Sequence, residues 1–465
     1  ARLAANVAPG NPYAGVMLPY TPLHVLVLQA LGFPVIATSG NRASEPICCD
    51  EGEALQRLQG IADLFLVHDR PIVNRADDSI VHVMAGRKTV LRRGRGYAPL
   101  ALMLAEAVQR PVLASGGHMK NTVAFALGRR LLLGPHIGDL DTPEACAAQQ
   151  QSAAALMDLY RAVPQIVAHD AHPDYRSTRM ARESFGKSAA NCLPVQHHYA
   201  HALACLLDNG REAPCFAVVW DGTGYGGDGT IWGGEFLAIT PHHYERVAHF
   251  LPFPLPGGEA AIRDPRRAAL GVLYAMGATE RLPTCLSGWV EEERRLLMQA
   301  MEKQLNAPLT SSAGRLFDAV AALTGSGLEN SFEGEAAMTL EFAALEFSVM
   351  DDDGVYDFSS DDNILDWRPM LRKIIDDIES KTPAGIISAR FHNTLAAMIV
   401  AMARRQDERQ VVLSGGCFQN RRLLESAVNG LRTAGFEPLW HRDIPPNDGG
   451  IAAGQIMAVL RRETH

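Results

Sequence analysis

Cys215-Phe216-Ala217-Val218-Val219-Trp220-Asp221-Gly222-Thr223-Gly224-Tyr225-Gly226-Gly227-Asp228-Gly229 is an apolar run that ends abruptly in glycines. Residues 215–220 suit a strand covered on both faces, as in the sheets of α/β proteins. Residues 221–229 are too rich in glycine for a plain hairpin turn. Without Cβ atoms, glycines let backbone N–H groups come close to phosphate oxygens, and Asp221 can hold a metal or a water. A wide β-turn accounts for the same residues without a ligand. The unit recurs on either side. Residues 112–114 run into Ser115-Gly116-Gly117, and residues 410–413 into Ser414-Gly415-Gly416 ahead of a helix from Arg421. Strands ending in glycines, separated by helical stretches, are most simply arranged as two α/β lobes facing a cleft.

Outward from these units, apolar spacing predicts helices at 22–31 and 50–58 and strands at 34–38 and 62–67. A hairpin joins 79–84 to 88–91 across Ala85-Gly86-Arg87. Pro111 opens a new strand, so a domain boundary close to Gln109 separates 1–108 from 109–465. In the second part, 123–127 and 130–133 pair across Gly128, and a strand follows at 235–240. Helices cover 291–305 and 313–323, and 351–362 forms an acidic loop or hairpin.

The 465 residues include 47% hydrophobic and 20% charged side chains, which excludes whole-chain disorder and fibrous structure. A net charge of −9 argues against a general nucleic-acid-binding surface. No apolar run approaches the length of a bilayer span, no signal peptide is visible, and no membrane partner is expected. Eight cysteines are scattered without a CxxC pair, which fits reduced thiols and a cytoplasmic location better than disulfides or a zinc finger. The chain opens at Ala1 without an initiator methionine, which points to a processed chain or a fragment.

The sharpest chemical signal is Gln196-His197-His198-Tyr199-Ala200-His201-Ala202. On a helix, His197 and His201 stand at i and i+4 and project from one face. Two imidazoles make half of a metal site that one carboxylate would complete. Asp448, in Pro445-Pro446-Asn447-Asp448-Gly449-Gly450, is the candidate third ligand. Packed or solvated helix histidines, and an aspartate that merely caps a helix, are the plainer alternatives. Ser414-Gly415-Gly416, with Asn420 at the following helix start, offers an anion site of helix N–H groups. Neither GxxxxGK[S/T] nor GxGxxG is present, so a nucleotide would lie between two glycine loops rather than on a P-loop or Rossmann turn.

Further polar strings cluster near strand ends, where α/β proteins bind ligands. They are Gly117-His118-Met119-Lys120-Asn121-Thr122, His136-Ile137-Gly138-Asp139 and His169-Asp170-Ala171-His172-Pro173-Asp174-Tyr175. Nearer the start, Thr38-Ser39-Gly40-Asn41, Arg75-Ala76-Asp77-Asp78-Ser79 and the basic run 92–97 supply hydroxyl, amide and guanidinium donors. Such donors suit a triphosphate with an acid beside it, although a solvated basic face would look the same.

Together with residues 16–24, these ordered motifs resemble the HypF-type carbamoyltransferases of nickel–iron hydrogenase maturation over essentially the whole chain. The resemblance implies an α/β chain in which a partial YrdC-like domain precedes a two-lobed Kae1-like domain of the ASKHA (actin-like ATPase) fold. It implies that carbamoyl phosphate and ATP, with Mg, form carbamoyl-adenylate, and that the carbamoyl group passes to the C-terminal cysteine of HypE to become a cyanide ligand of the hydrogenase iron. Ser39 and Asn41 match the YrdC SxN motif, with Arg75 and Arg95 beside the adenylate-forming site. His197, His201 and Asp448 match the ligands of a divalent Fe or Zn ion. Asp221, Gly222, Thr223, Gly224, Gly415, Gly416 and Asn420 fall at nucleotide-binding positions. Lys120, Asn121, His136 and Asp139 line the cleft, and His172 or His198 would act as base toward a hydroxyl acceptor. Against full-length relatives, the chain lacks the acylphosphatase-like segment, the paired-cysteine zinc fingers and the first half of the YrdC-like region, so transfer is expected to survive better than adenylation.

Three rival readings share parts of this pattern. They are a small-molecule O-carbamoyltransferase, a tRNA threonylcarbamoyl transferase, which the acidic charge disfavours, and an ATP-sensing scaffold whose histidines are structural.

Overall fold

The computed structural model describes residues 4, 6–43, 45–185, 191–286, 288–345 and 354–463. Two compact units divide the chain, Ala1–Arg75 and Ala76–His465.

The larger unit is built around the strand Cys215–Tyr225. One neighbour, Ile231–Ile239, runs antiparallel to it, and the other, Gln410–Ser414, runs parallel. These three lie in a nine-stranded sheet that extends through Tyr244–Phe250 on one side and ends at Glu437–Leu439 on the other. The strand is apolar from Cys215 to Trp220 because both faces are covered there. Phe216, Val218 and Trp220 enter one core, while Cys215, Ala217 and Val219 enter another, as the two-residue period of a strand requires. The first core is closed by helices Pro265–Ala275, Ala313–Leu323, Ala384–Ala403 and Arg421–Thr433. The second holds helices His197–Asn209 and Ile451–Glu463, which also pack under a four-stranded sheet ordered Ala124–Leu133, Ala101–Ala114, Ile166–Asp170, Asn191–Val195. The two helices approach so closely at Gly454 that a Cβ there would collide with the Ala200 carbonyl oxygen.

Residues 76–108, grouped by sequence with the first domain, pack with the larger unit. The hairpin Ile80–Met84 with Arg87–Arg92 buries Met84 and Val90, and Val90 N–H donates to the Arg442 carbonyl at 2.8 Å. Arg93 is buried by hydrogen bonds to the carbonyls of Tyr97, Leu100 and Asp443.

In the smaller unit, the helices expected near 22–31 and 50–58 form as Pro22–Leu31, capped by Thr21, and Glu51–Arg57, capped by Asp50. The strands expected at 34–38 and 62–67 do not form among the described residues. Ile36 and Leu64 are exposed there, and no neighbouring strand pairs with their backbone groups. Gly128 is not a turn either. It sits at φ +55 inside the continuous strand Ala124–Leu133, opposite Val108, at a bulge that kinks the pair without reversing it. The partner strand opens at Ala101, ten residues before Pro111, so the domain seam expected near Gln109 falls within Ala101–Ala114. Residues 221–225 likewise continue their strand, and the chain reverses only at 226–230, where Gly226 N–H meets the Thr230 carbonyl.

The hairpin reading of 351–362 finds Ser359–Asp361 paired with Ile364–Asp366; residues 351–353 lie outside the described residues. All eight cysteines are unpaired. Ala384–Ala403 is long and apolar enough by length and composition to cross a membrane, contrary to the reading of the sequence; in the fold it is a largely buried core helix.

Candidate metal centre

Helix His197–Asn209 begins at Gln196, whose Oε1 accepts the Tyr199 N–H at 2.8 Å, so both expected histidines lie in its first two turns. His197 and His201 are wholly buried and point inward from one face. Asp221 arrives from within the central strand and Asp448 from the turn before the last helix. Capping of that turn falls to Asn447, whose Oδ1 accepts Gly449 N–H at 3.0 Å, and this leaves the Asp448 carboxylate free to face the histidines.

The four side chains offer ligand atoms within 4.8 Å of one another. His197 Nε2 stands 3.4 Å from Asp221 Oδ2 and 3.6 Å from Asp448 Oδ1, and the His201 Nε2 distances are 3.5 and 3.7 Å. Bonds of ~2.1 Å in a tetrahedral arrangement place ligand atoms ~3.4 Å apart, so the spacing fits a divalent ion. His201 supplies a second sign of fit, because neither ring nitrogen has a hydrogen-bond partner although the side chain is fully buried. Two imidazoles with two carboxylates suit Fe or Zn.

Asp170 organises this cluster. Its Oδ2 lies 2.7 Å from His197 Nδ1, and its Oδ1 accepts the His172 N–H at 2.8 Å. A proton on Nδ1 leaves the Nε2 lone pair facing the centre. Burial lowers the His197 pKa, but Asp448 and Asp170 prevail and hold it well above the usual imidazole value. Burial opposes ionisation of Asp448, yet His197 draws its pKa down to about 2. The carboxylates are thus built to meet positive charge.

The glycine loops serve this centre in a way the sequence did not reveal. Gly416 N–H donates to Asp221 Oδ1 at 2.9 Å, and Gly415 N–H to the Pro446 carbonyl at 3.1 Å. Gly415 holds φ +99, and a Cβ there would strike the Trp220 carbonyl. Asn420 caps helix Arg421–Thr433 through Leu423 N–H and meets His392 Nε2 at 2.8 Å. Gly222, Thr223 and Gly224 run past the centre, and a Cβ on Gly224 would collide with His198.

His198 is fully buried, its Nδ1 is 3.1 Å from Gln196 Nε2, and burial pushes its pKa well down. His172 is half-buried, stacked on Tyr175 with ring centroids 4.1 Å apart, and lowered in pKa by burial. Lys120 N–H donates to Asp139 Oδ1 at 2.7 Å, and its Nζ pairs with Glu333. Asn121 is buried and its amide bonds the Ser115 and Gly117 carbonyls. His136 is drawn down to about 3 by burial and by Arg92 and Lys120.

Of the YrdC-like candidates, Ser39, Asn41 and Arg75 lie in the smaller unit and Arg95 in the larger. Ser39 accepts from Asn41 N–H, the Asn41 amide bonds the Arg42 and Glu45 carbonyls, and Arg75 bonds the Ile47 carbonyl. Arg95 Nε stands 3.5 Å from Asp78.

The sequence marks Asp170 only as part of a polar string and gives no role to Arg315, Asp318 or Glu333. Asp170 ends an apolar strand and Arg315 interrupts an apolar helix, and those were the available signals.

Residues 217–455 match the family of the carbamoyltransferase Kae1-like domain, second subdomain; 107–208 match the HypF Kae1-like domain; and 1–94 match a family described as telomere recombination, that of Sua5, YciO and YrdC. The chain is 44% identical over 477 residues to carbamoyltransferase HypF of Synechocystis sp., covering 99% of this chain and 61% of that relative. Against a HypF homolog of Cupriavidus necator, identity is 35% over 365 residues, covering 76% of this chain and 92% of the homolog. A crystal structure of full-length HypF in the phosphate- and nucleotide-bound form superposes with a TM-score of 0.93 at 38% identity, over 99% of this chain and 72% of that one. The HypF of T. kodakarensis gives 0.91 at 29% identity, over 99% and 62%. The chain therefore spans about three fifths of the length of several curated relatives it matches. The α/β fold, with a YrdC-like part before a Kae1-like domain, is the one expected from sequence.

Proposed function

The chain belongs to the HypF-type carbamoyltransferases, and from that membership we propose that its Kae1-like domain transfers a carbamoyl group from carbamoyl-adenylate to the C-terminal cysteine of HypE. The adenylate derives from carbamoyl phosphate and ATP with Mg, and the work is cytoplasmic. We place the seam between the YrdC-like and Kae1-like domains at 108/109, two residues into the HypF Kae1-like match.

The observation that carries this reading is the buried cluster of His197, His201, Asp221 and Asp448 beside two glycine loops. His197, His201, Asp221 and Asp448 would hold a divalent ion, which would supply Lewis acidity to the departing phosphate. The chain's own residues supply position. Asp170 fixes the His197 ring, and Gly416 N–H fixes the Asp221 carboxylate. Burial of His197, His201 and Asp221 keeps water from competing with the acceptor. The thiolate sulfur attacks the carbamoyl carbon, a C–S bond forms, and the C–O bond to phosphate breaks with its electrons leaving on AMP. A thiolate is strongly nucleophilic near neutral pH and needs little help. A sugar hydroxyl, the acceptor in the O-carbamoyltransferase reading, would need a base. His198 is walled in, which leaves His172 for that role.

Mass spectrometry after incubation with carbamoyl-adenylate tests the proposal, using a HypE-type C-terminal cysteine peptide, its serine variant and an aminoglycoside in competition. Carbamoylation of the cysteine peptide is expected. Carbamoylation of the sugar in preference to the thiol would overturn it.

A further inference from the structure

Helix Ala313–Leu323 is apolar except for Arg315 and Asp318, and both are buried. Two charges in such a helix need a reason. The helix is anchored at its start to the metal-bearing strand, since Ser312 Oγ lies 2.7 Å from the Asp221 carbonyl and 2.8 Å from that of Gly222 while accepting Arg315 N–H at 3.1 Å. Gly314 lets the helix sit against this strand, for a Cβ there would lie 2.8 Å from Gly222 Cα. The Arg315 guanidinium is thereby carried to Gly222, where its NH2 comes within 3.6 Å of the position a Cβ on that glycine would occupy. Glu333 Oε1 reaches the same point at 3.4 Å, bringing with it the paired Lys120.

Arg315 is left underused. Its NH1 stands 3.1 Å from Asp318 Oδ2, yet neither NH1 nor Nε makes a hydrogen bond, although the side chain is only 4% exposed. A guanidinium has five donors in a fixed fork matched to phosphate oxygens, and burial of unfilled donors is rare in folded proteins. Next to it the chain has no side chain at Gly222, and one residue away begins the metal cluster.

Resting on the reading that a nucleotide occupies this cleft, we propose that Arg315 binds the phosphate of the adenylate over Gly222, with Lys120 as a second cation on the far side of that phosphate. The ligand class is a nucleoside 5′-phosphate, free or as its mixed anhydride. Asp318 aims the guanidinium from one helical turn away, and Glu333 holds Lys120 until an anion arrives. The phosphate meets the guanidinium at NH2, the nitrogen that reaches Gly222.

Calorimetry with AMP and with adenosine separates this role from a structural one. In Arg315→Gln, AMP affinity should fall at least tenfold while adenosine affinity and metal content stay unchanged, and Arg315→Lys should recover part of the loss. Gly222→Ala tests the same point without touching a charge. Its Cβ meets Glu333 and Arg315 at ordinary contact distances, so the fold is kept while the phosphate seat is filled, and AMP should again weaken more than adenosine. Unchanged AMP affinity in both variants, or equal losses for AMP and adenosine, would overturn the assignment to Arg315. Wild-type protein that binds neither ligand would instead remove the nucleotide reading itself, and the assignment with it.

Discussion

Asp170→Asn isolates what the carboxylate behind His197 contributes. The native side chain has two acceptor oxygens, and both are used, Oδ2 by His197 Nδ1 and Oδ1 by the His172 N–H. Asparagine keeps the shape but has one acceptor and one donor. If its oxygen serves His172, its NH2 faces His197 Nδ1 and selects the tautomer with a proton on Nε2, which cannot ligate a metal. If its oxygen serves His197, the buried His172 N–H loses its partner at a cost of about 1–3 kcal/mol. Either way the charge that strengthens the imidazole as a ligand is gone. Loss of such an outer partner weakens metal binding by roughly 10–100-fold, which is about 1.4–2.7 kcal/mol. The assay is competition with a chelator of known affinity, with circular dichroism confirming the fold. A folded variant whose metal affinity stays within twofold of wild type would refute the tautomer argument.

Four further outcomes are expected. Elemental analysis of His201→Ala should show near-stoichiometric metal falling sharply with the fold intact, because neither ring nitrogen has a protein partner to lose; unchanged metal would dismiss the centre. Gly416→Val should weaken both metal and ATP, the latter by at least tenfold or ~1.4 kcal/mol, since a Cβ would sit 2.7 Å from Asp221 Oδ1; equal ATP affinity by calorimetry would contradict it. Gly454→Ala should destabilise by roughly 1–3 kcal/mol or more in urea denaturation, as its Cβ drives apart the helices that carry the ligands. Burial lowers His392 to about 4 from an unfolded value of 6.5, so the unfolded state binds more protons between those values and stability falls on acidification. From pH 7 to pH 5 its share of the loss is about 2 kcal/mol, and a His392→Gln variant with the same pH dependence as wild type would disprove that share.

The histidine spacing was readable because helical periodicity alone puts i and i+4 on one face, and the strand-plus-glycine units were readable because burial on both faces leaves an uninterrupted apolar run. What escaped depended on contacts between distant segments. Asp170 reaches His197 across 27 positions, and Asp221 is held beside the two histidines by an N–H at Gly416. Gly415 and Gly416 looked like phosphate donors, but their N–H groups are spent on Pro446 and Asp221. The exposed apolar residues near 34–38 and 62–67 carried a strand pattern without a neighbour to complete it, and pattern without pairing does not make a strand. Gly128 was read as a turn because a glycine between apolar runs cannot be told from a bulge by sequence alone.

The arrangement also couples metal loading to folding. The ligands come from three separated stretches, the start of helix His197–Asn209, the interior of strand Cys215–Tyr225 and the turn Asp448–Gly450. An unfolded chain cannot bring 197, 221 and 448 together, so an ion binds the folded state almost exclusively and stabilises it by mass action. At a free ion concentration 100 times the dissociation constant, the gain is about 2.7 kcal/mol. Removing the ion leaves the Asp221 and Asp448 carboxylates facing each other, with the two histidines beside them and Gly416 N–H donating to Asp221. Protonation of those histidines answers that repulsion: burial, the largest single influence on His197, lowers its pKa, and the surrounding carboxylates together outweigh it. Metal ligation requires the same nitrogens deprotonated, so protons and metal compete for one site. Chelated protein should therefore take up protons as the ion leaves, a release and uptake that potentiometric titration at constant pH measures directly. A titration showing no proton exchange on metal removal would mean that the cluster is held neutral by some other group and that the charge argument fails.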